Sequence, residues 1–317
     1  MGEFDLIRRY FLPVAEQQGH PDLLLALGDD CAIQRIPTDQ DLVFSVDTQV
    51  EGVHFPRQYR PEYTAWRALA TAASDLAAMG ATPVCFTLAL TLPEADENWL
   101  EGFGRGLAQA ASRFGLALAG GDTTRGPLTI SIQVHGTVPK GQGLMRSGAK
   151  VSDLVAVSGT LGDAGAALDY LDVQEPGNDE RALLDRYHHP LPRLELGQAL
   201  RGFASACIDI SDGLIADLGH ILERSGVGAT LNPELLPLSM PLQRCAGDRA
   251  PHLALSSGDD YELCITISEV LWDRLSAEIK NHLTVIGRID GEEGIRFEGG
   301  ALANPGPQGF DHFGSIS

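Results

Sequence analysis

Val84-Cys85-Phe86-Thr87-Leu88-Ala89-Leu90-Thr91-Leu92 and Leu128-Thr129-Ile130-Ser131-Ile132-Gln133-Val134-His135-Gly136-Thr137-Val138 decide the fold class. The second stretch alternates, with Ile130, Ile132 and Val134 facing one way, which is the period of a strand covered on one side. The first lies in an uncharged run from Leu76 to Pro93. Gly80 and Pro83 interrupt that run, so it reads as a helix end, a turn and a buried strand rather than a membrane span. The two strands are expected to pair antiparallel. Outward from them, residues 62–79 read as an alanine- and leucine-rich helix stopped by Gly80, and residues 96–114 as a second helix closed by Gly115. Leu116–Ala119 is a short strand ending in Gly120-Gly121-Asp122, and Leu42–Val46 another that runs into Asp47. A short amphipathic helix at 3–18 and a loop holding Gly28-Asp29-Asp30 precede them.

Downstream, the turn-rich patch Pro139–Ser152 breaks the pattern, and a domain boundary is expected at 148/149. Residues 1–148 form one domain and 149–317 a second. The second half opens with a strand at 153–158. Helices follow near 163–171, 193–202 and 213–225, with strands near 228–231, 261–267 and 283–288 and an exposed loop at 173–180. Strands and helices are mixed in both halves without a regular βαβ series, so the class is α+β. The Gly/Pro- and aromatic-rich end, Gly309-Phe310-Asp311-His312-Phe313, is unlike a floppy tail and is expected to fold back onto a site.

Bulk composition narrows the partners. The 317-residue chain carries 23 Lys and Arg against 43 Asp and Glu, a formal net charge of −20. Such a surface repels nucleic acid and anionic membrane. Five cysteines, an odd number with no C-x-x-C pair, argue against a disulfide framework and for a reducing compartment. Met1-Gly2-Glu3-Phe4-Asp5 shows no basic-then-apolar leader, and a cytoplasmic location is expected. No G-x-G-x-x-G follows a strand, no Walker loop occurs, and the protein-kinase signatures are missing.

What remains distinctive is where the aspartates sit. Asp29 and Asp30 follow Gly28; Asp47 closes an apolar strand; Asp122 follows two glycines. Asp209 and Asp212 flank Ile210-Ser211 just before Gly213, and Asp259-Asp260 follow Ser257-Gly258. Taken singly, most read as turn formers or helix caps. Asp75 is the hardest to dismiss: it lies on a helix lined with alanine, leucine and methionine, and a carboxylate buried there needs a partner, either a cation or a buried arginine, and Arg67 is not at helical contact spacing from it. Taken together, glycine-adjacent carboxylates at strand ends have the oxygen chemistry of a hard-cation site, with glycines that let backbone approach phosphates. Phosphoryl transfer needs little beyond such positioning and charge neutralisation.

The motif series is similar to that of the thiamine-monophosphate kinase family. Gly28-Asp29-Asp30-Cys31-Ala32, Ser45-Val46-Asp47-Thr48, Gly52-Val53-His54-Phe55, Ser74-Asp75-Leu76-Ala77-Ala78-Met79-Gly80, Gly120-Gly121-Asp122-Thr123-Thr124, Arg146-Ser147-Gly148-Ala149, Asp209-Ile210-Ser211-Asp212-Gly213-Leu214 and Ser257-Gly258-Asp259-Asp260-Tyr261-Glu262-Leu263 occur in the family's order, over nearly the whole chain. The resemblance implies a two-domain fold like that of aminoimidazole ribonucleotide synthetase. Its N-terminal domain binds ATP and pairs its sheet across a homodimer; its C-terminal α+β domain contributes to the substrate site. It implies transfer of the γ-phosphoryl of ATP to thiamine monophosphate, assisted by several Mg2+ ions. Asp30, Ser45, Val46, Asp47, Asp75, Asp122, Asp209 and Asp212 match the family's metal ligands. Gly121, Asp122, Arg146 and Ser211 match nucleotide contacts, and His54, Asp259 and Phe310 match substrate contacts. No residue matches a general base, and a phosphate acceptor already ionised near neutral pH needs none.

Three positions depart from the family pattern. Val46 stands where threonine is common, so any ligation there is through its carbonyl. Asp259 stands where glutamate is usual, and Phe310 lacks a tyrosine hydroxyl. A selenophosphate synthetase is disfavoured, because no lysine precedes Lys140. A metal sensor on this scaffold would be expected to lose metal carboxylates, which are intact here, and no EF-hand loop occurs.

Overall fold

The computed structural model describes residues 2–298. It separates into two compact units, 1–143 and 144–317. Phe310 and the aromatic tail lie outside the described residues.

The first unit begins with a helical lead through Gln17, in which Ile7–Phe11 forms a π turn. A small antiparallel pair, β1 (Leu23–Leu25) and β2 (Ile33–Gln34), follows. The main sheet comprises β3 (Gln40–Val50), β4 (Thr82–Leu92), β5 (Ala117–Arg125) and β6 (Thr129–Pro139), in the order β3-β6-β4-β5. The expected antiparallel pairing of the two deciding stretches is present as β4 against β6. Their connection runs through the helix Glu97–Phe114 and β5, which pairs parallel to β4. Two expectations about strand ends are corrected. β3 runs on past Asp47 because β6 supplies pairing partners as far as Val50 opposite Thr129. Likewise Gly120-Gly121-Asp122 lies inside β5, since β4 continues beside it to Leu92 opposite Arg125.

Alternation decides the two faces of this sheet. Ile130, Ile132 and Val134 are buried, on the side packed by the helix Pro61–Ala78. That helix and Glu97–Phe114 approach so closely that a Cβ on Gly106 would lie 2.3 Å from the Glu62 carbonyl oxygen. Asp96 caps the second helix by accepting the Trp99 amide at 2.8 Å, and Gly115, at φ +69°, ends it in the left-handed region.

The second unit is built on a six-stranded sheet of β7 (Leu154–Ser158), β8 (Ala206–Asp209), β9 (Gly228–Leu231), β10 (Leu263–Ile267), β11 (Leu283–Asp290) and β12 (Gly294–Phe297). Their order is β12-β9-β11-β7-β10-β8, antiparallel throughout except β12 beside β9. The helix Leu214–Ser225 buries Leu214, Leu218, Ile221 and Leu222, the i, i+4, i+7, i+8 stripe, in a core with Ile208, Ile210, Leu231 and Ile289. Each such side chain contributes about 1.5–3 kcal/mol. The segment expected to be a loop at 173–180 is irregular through Gly177, but its last three residues start the helix Asn178–His188, where Glu180 turns back to accept the Gly177 amide at 2.6 Å.

A buried ionic knot fastens this unit. Glu262 is fully buried; Arg186 donates to it at 2.8 Å, Arg193 donates through Nε at 2.6 Å and through Nη2, and the Ser158 hydroxyl donates as well. Burial raises the Glu262 pKa, but hydrogen bonds from Arg193 and the charges of both arginines outweigh it, so the net shift is downward. A depressed carboxylate stabilises the fold above its unfolded pKa, and that stability is lost as pH falls through the lower folded value. Glu262→Gln should therefore cost about 3 kcal/mol in urea melts at pH 7. The gap to the parent should shrink once pH drops below about 4.

Candidate active site

The period-two rule sends Ser45 and Asp47 to the helix-covered face of β3 and Val46 to the other. The helix Pro61–Ala78 brings Asp75 against that face, where the Ser45 hydroxyl donates to Asp75 Oδ2 at 2.5 Å. Gln49, next along the same face, donates to Thr71 at 3.2 Å. Burial, then the charge of Asp75, push the Asp47 pKa up to about 6, against a lowering hydrogen bond from Thr71. Two carboxylates and a hydroxyl thus share a corner short of water.

Gly121 has no room for a side chain: a Cβ there would lie 2.0 Å from the Leu88 carbonyl oxygen. The register runs Asp47–Ile132–Leu88–Gly121 across all four strands. With strands about 4.8 Å apart, Asp47 and Gly121 are about 14 Å from each other at one level of the sheet. Asp122 falls on the next line, with Thr48, Ser131 and Ala89, on the exposed face. The pair β1–β2 packs on this same side, with Leu23 against Val84, Cys85, Ala117 and Ala119, and Gln34 bonded to His135 at 2.7 Å. That pair carries the loop holding Asp30, which is exposed and whose amide donates to Asp29 at 2.8 Å. Ser45, Asp47 and Asp75 are therefore joined, while Asp122 and the Asp30 loop belong to the opposite face. Val46 also faces that way and is 62% exposed. His54 accepts the Val50 amide on Nδ1 at 3.0 Å, which leaves the proton of the neutral ring on Nε2, a donor.

In the second unit, Asp209 ends β8, buried, and the loop Ile210–Gly213 follows. The loop Ser257–Tyr261 lies against it, with the Asp259 amide donating to the Ser211 carbonyl at 2.9 Å and the Tyr261 amide to the Ile210 carbonyl at 2.8 Å. The approach leaves no space at Gly258, where a Cβ would lie 2.1 Å from the Ser211 oxygen. Asp259 and Tyr261 both take positive φ, +67° and +51°, and the Tyr261 hydroxyl donates to Asp259 at 2.7 Å. Asp259, Ser211, Asp212 and Asp209 are thus held on one pair of loops. Arg146 is exposed on a segment pinned by the Cys207 amide donating to the Met145 carbonyl at 2.9 Å and by Ser225 accepting the Gly148 and Ala149 amides at 3.2 Å.

Asp217 was not singled out in the sequence. It is buried beneath the Ile210–Gly213 loop, and its pKa is raised to about 7 by burial first and then by the charge of Asp209. The signal that finds Asp75 applies to it equally: a carboxylate inside an apolar helical stripe, Leu214-Ile215-Ala216-Asp217-Leu218.

Among the described residues, no three His, Cys, Asp or Glu side chains gather into a closed metal cage. The oxygen-only sets, a desolvated carboxylate pair with a hydroxyl in one unit and Asp209 beside Asp212 in the other, still fit magnesium. That ion takes one or two carboxylates and fills the rest of its shell with water and substrate phosphate oxygens.

Residues 28–138 match the family model "AIR synthase related protein, N-terminal domain", which gives the class of the first unit. The thiamine-monophosphate kinase of Salmonella typhimurium is 45% identical over 322 residues, covering 98% of each chain. The crystal structure of thiamine-monophosphate kinase from Stenotrophomonas maltophilia K279a superposes with a TM-score of 0.86 at 44% identity, over 94% of this chain and 97% of that one. "AaThiL complexed with AMPPCP and TMP" superposes at 0.80 with 33% identity, over 91% and 92%. The chain belongs to the thiamine-monophosphate kinase family, as its motif series implied.

Because Asp47 binds its proton more tightly folded than unfolded, the Asp47–Asp75 pair costs stability as pH rises from about 4 through 6. Asp75→Asn should therefore melt higher, not lower, than the parent at pH 8 in EDTA, as read by calorimetry.

Proposed function

We propose that this chain transfers the γ-phosphoryl of ATP in line to the phosphate of thiamine monophosphate, releasing ADP and thiamine diphosphate. The observation that carries the reading is the pair Asp47 and Asp75 held together beside the Ser45 hydroxyl, with Asp47 pushed upward by burial and by the charge of Asp75, in a chain of this family. A relative bound to AMPPCP and TMP supports the same pair of substrates.

Donor and acceptor are both anions, so their approach requires positive charge. Several magnesium ions held by Asp30, Ser45, the Val46 carbonyl, Asp47, Asp75, Asp122, Asp209 and Asp212 would supply it. The residues of the chain do the rest. Gly121 lets β5 run close beside β4, Arg146 grips nucleotide phosphate oxygens, and Ser211 donates to the nucleotide. His54 donates from Nε2 to thiamine monophosphate, and Asp259 and Phe310 contact its thiamine moiety. No general base is assigned, since the attacking phosphate oxygen is already ionised.

We further propose a homodimer formed through the first unit's sheet. Leu42, Phe44 and Val46 project from one face of β3, with Phe44 and Val46 each 62% exposed, a face of the kind that pairs with a second copy. Among the described residues no helix is long and apolar enough to cross a membrane. Five cysteines outside any disulfide support a cytoplasmic site of action.

Protein mixed with ATP, magnesium and thiamine monophosphate should give ADP and thiamine diphosphate in equal amounts by phosphorus NMR, and none with EDTA. Asp75→Asn should lose at least a hundredfold in kcat while remaining folded. Folded parent protein that makes no thiamine diphosphate would sink the reading. In sedimentation velocity the parent should run as a dimer and Phe44→Glu as a monomer.

A further inference from the structure

We infer that Asp217 is a positioning residue that sets the direction of the Ile210–Gly213 loop, and that Ser211 consequently meets phosphate through its hydroxyl rather than its amide. The inference rests on the reading of Asp209, Ser211 and Asp212 as the metal and nucleotide side of the site. One oxygen, Asp217 Oδ2, accepts three consecutive backbone amides, from Ser211 and Asp212 at 3.0 Å and from Gly213 at 3.1 Å. Consecutive amides converging on one point form an anion-binding nest. In many phosphate sites the ligand fills such a nest; here the chain's own buried carboxylate fills it. All three amides are thereby turned inward.

The carbonyl side of the same peptides is fixed independently. The Ile210 oxygen accepts the Tyr261 amide and the Ser211 oxygen accepts the Asp259 amide. Gly213, at φ +113°, makes the turn into the helix where a Cβ would meet the Ser256 carbonyl at 2.8 Å. With the amides of Ser211, Asp212 and Gly213 and the carbonyls of Ile210 and Ser211 committed, Ser211 reaches a ligand through its hydroxyl, beside the Asp209 and Asp212 carboxylates read as metal ligands. Removing the Asp217 acceptor frees the amides to swing toward the ligand side and carries those three side chains away from it.

The role predicts a split between acceptor and charge. In Asp217→Asn the amide oxygen can still accept all three bonds, whereas Asp217→Leu keeps volume and loses the acceptor. The experiment measures kcat and KM for thiamine monophosphate, and amide hydrogen exchange of peptides spanning residues 209–214, on the parent and both full-length variants. The expected result is slow exchange in parent and Asp217→Asn, and exchange at least tenfold faster in Asp217→Leu. Asp217→Asn should keep at least a third of the parent kcat, while Asp217→Leu falls a hundredfold. Loss of activity in Asp217→Asn equal to that of Asp209→Asn, with exchange still slow, would overturn the positioning role and make the Asp217 charge itself a metal ligand. Unchanged exchange in Asp217→Leu would overturn it as well. If the leucine variant does not fold, Asp217→Asn against Asp209→Asn decides alone. Parent protein that makes no thiamine diphosphate refutes the proposed reaction, and the exchange data still judge the loop.

Discussion

Carboxylates taken out of water beside one another are the constraint around which the rest of the molecule is arranged. Asp47 and Asp75 are forced together by a strand alternation and a helix laid across it, with the Ser45 hydroxyl donating to Asp75 at the shared corner. A fold selected only for stability would not keep this pair. It persists because a four-stranded sheet, two helices in backbone contact and a strand pinned along its length over-determine the corner. The second unit has the same pattern, with Asp209 and Asp217 near each other and the loop between them tied from both sides.

The two units resolve buried charge differently. The Glu262 knot is closed: two arginines and a serine satisfy the carboxylate, and nothing about it calls for a ligand. Asp47, by contrast, is pushed upward by burial and by the charge of Asp75, where Glu262 is held down by its arginines. The contrast separates a structural carboxylate from one held for a cation.

The α+β class, the long strands and helices of the first unit and nearly all the glycine-flanked aspartates were legible in the sequence, because each of those features is local. Alternation marks a strand, a glycine stops a helix, and Gly-Gly before Asp marks a close backbone approach. The rest depended on distant pairing. β3 and β5 extend past the points where their apolar runs stop, since a hydrogen-bonded neighbour continues beside them. The helix Asn178–His188 buries only Leu183 and Tyr187, too sparse a stripe to show against its polar residues. β8, Ala206–Asp209, is four residues long, and Glu262 looks like ordinary surface charge until Arg186 and Arg193 are folded against it.

The register of β3 has a sharper meaning than stability. Ser45 and Asp47 alternate with Val46 and Thr48, so a slip of one residue against β6 would replace an oxygen-lined corner with valine and threonine while leaving a sheet that still hydrogen-bonds well. Such an error gives no graded intermediate: a chain either presents its carboxylates to the helix or turns them all to the opposite side. β3 pairs with β6 without a bulge from Gln40 to Val50, so its alignment is set by which face the helix Pro61–Ala78 covers and not by an irregularity in the pairing. Correct assembly of the sheet and competence of the site are thereby the same event.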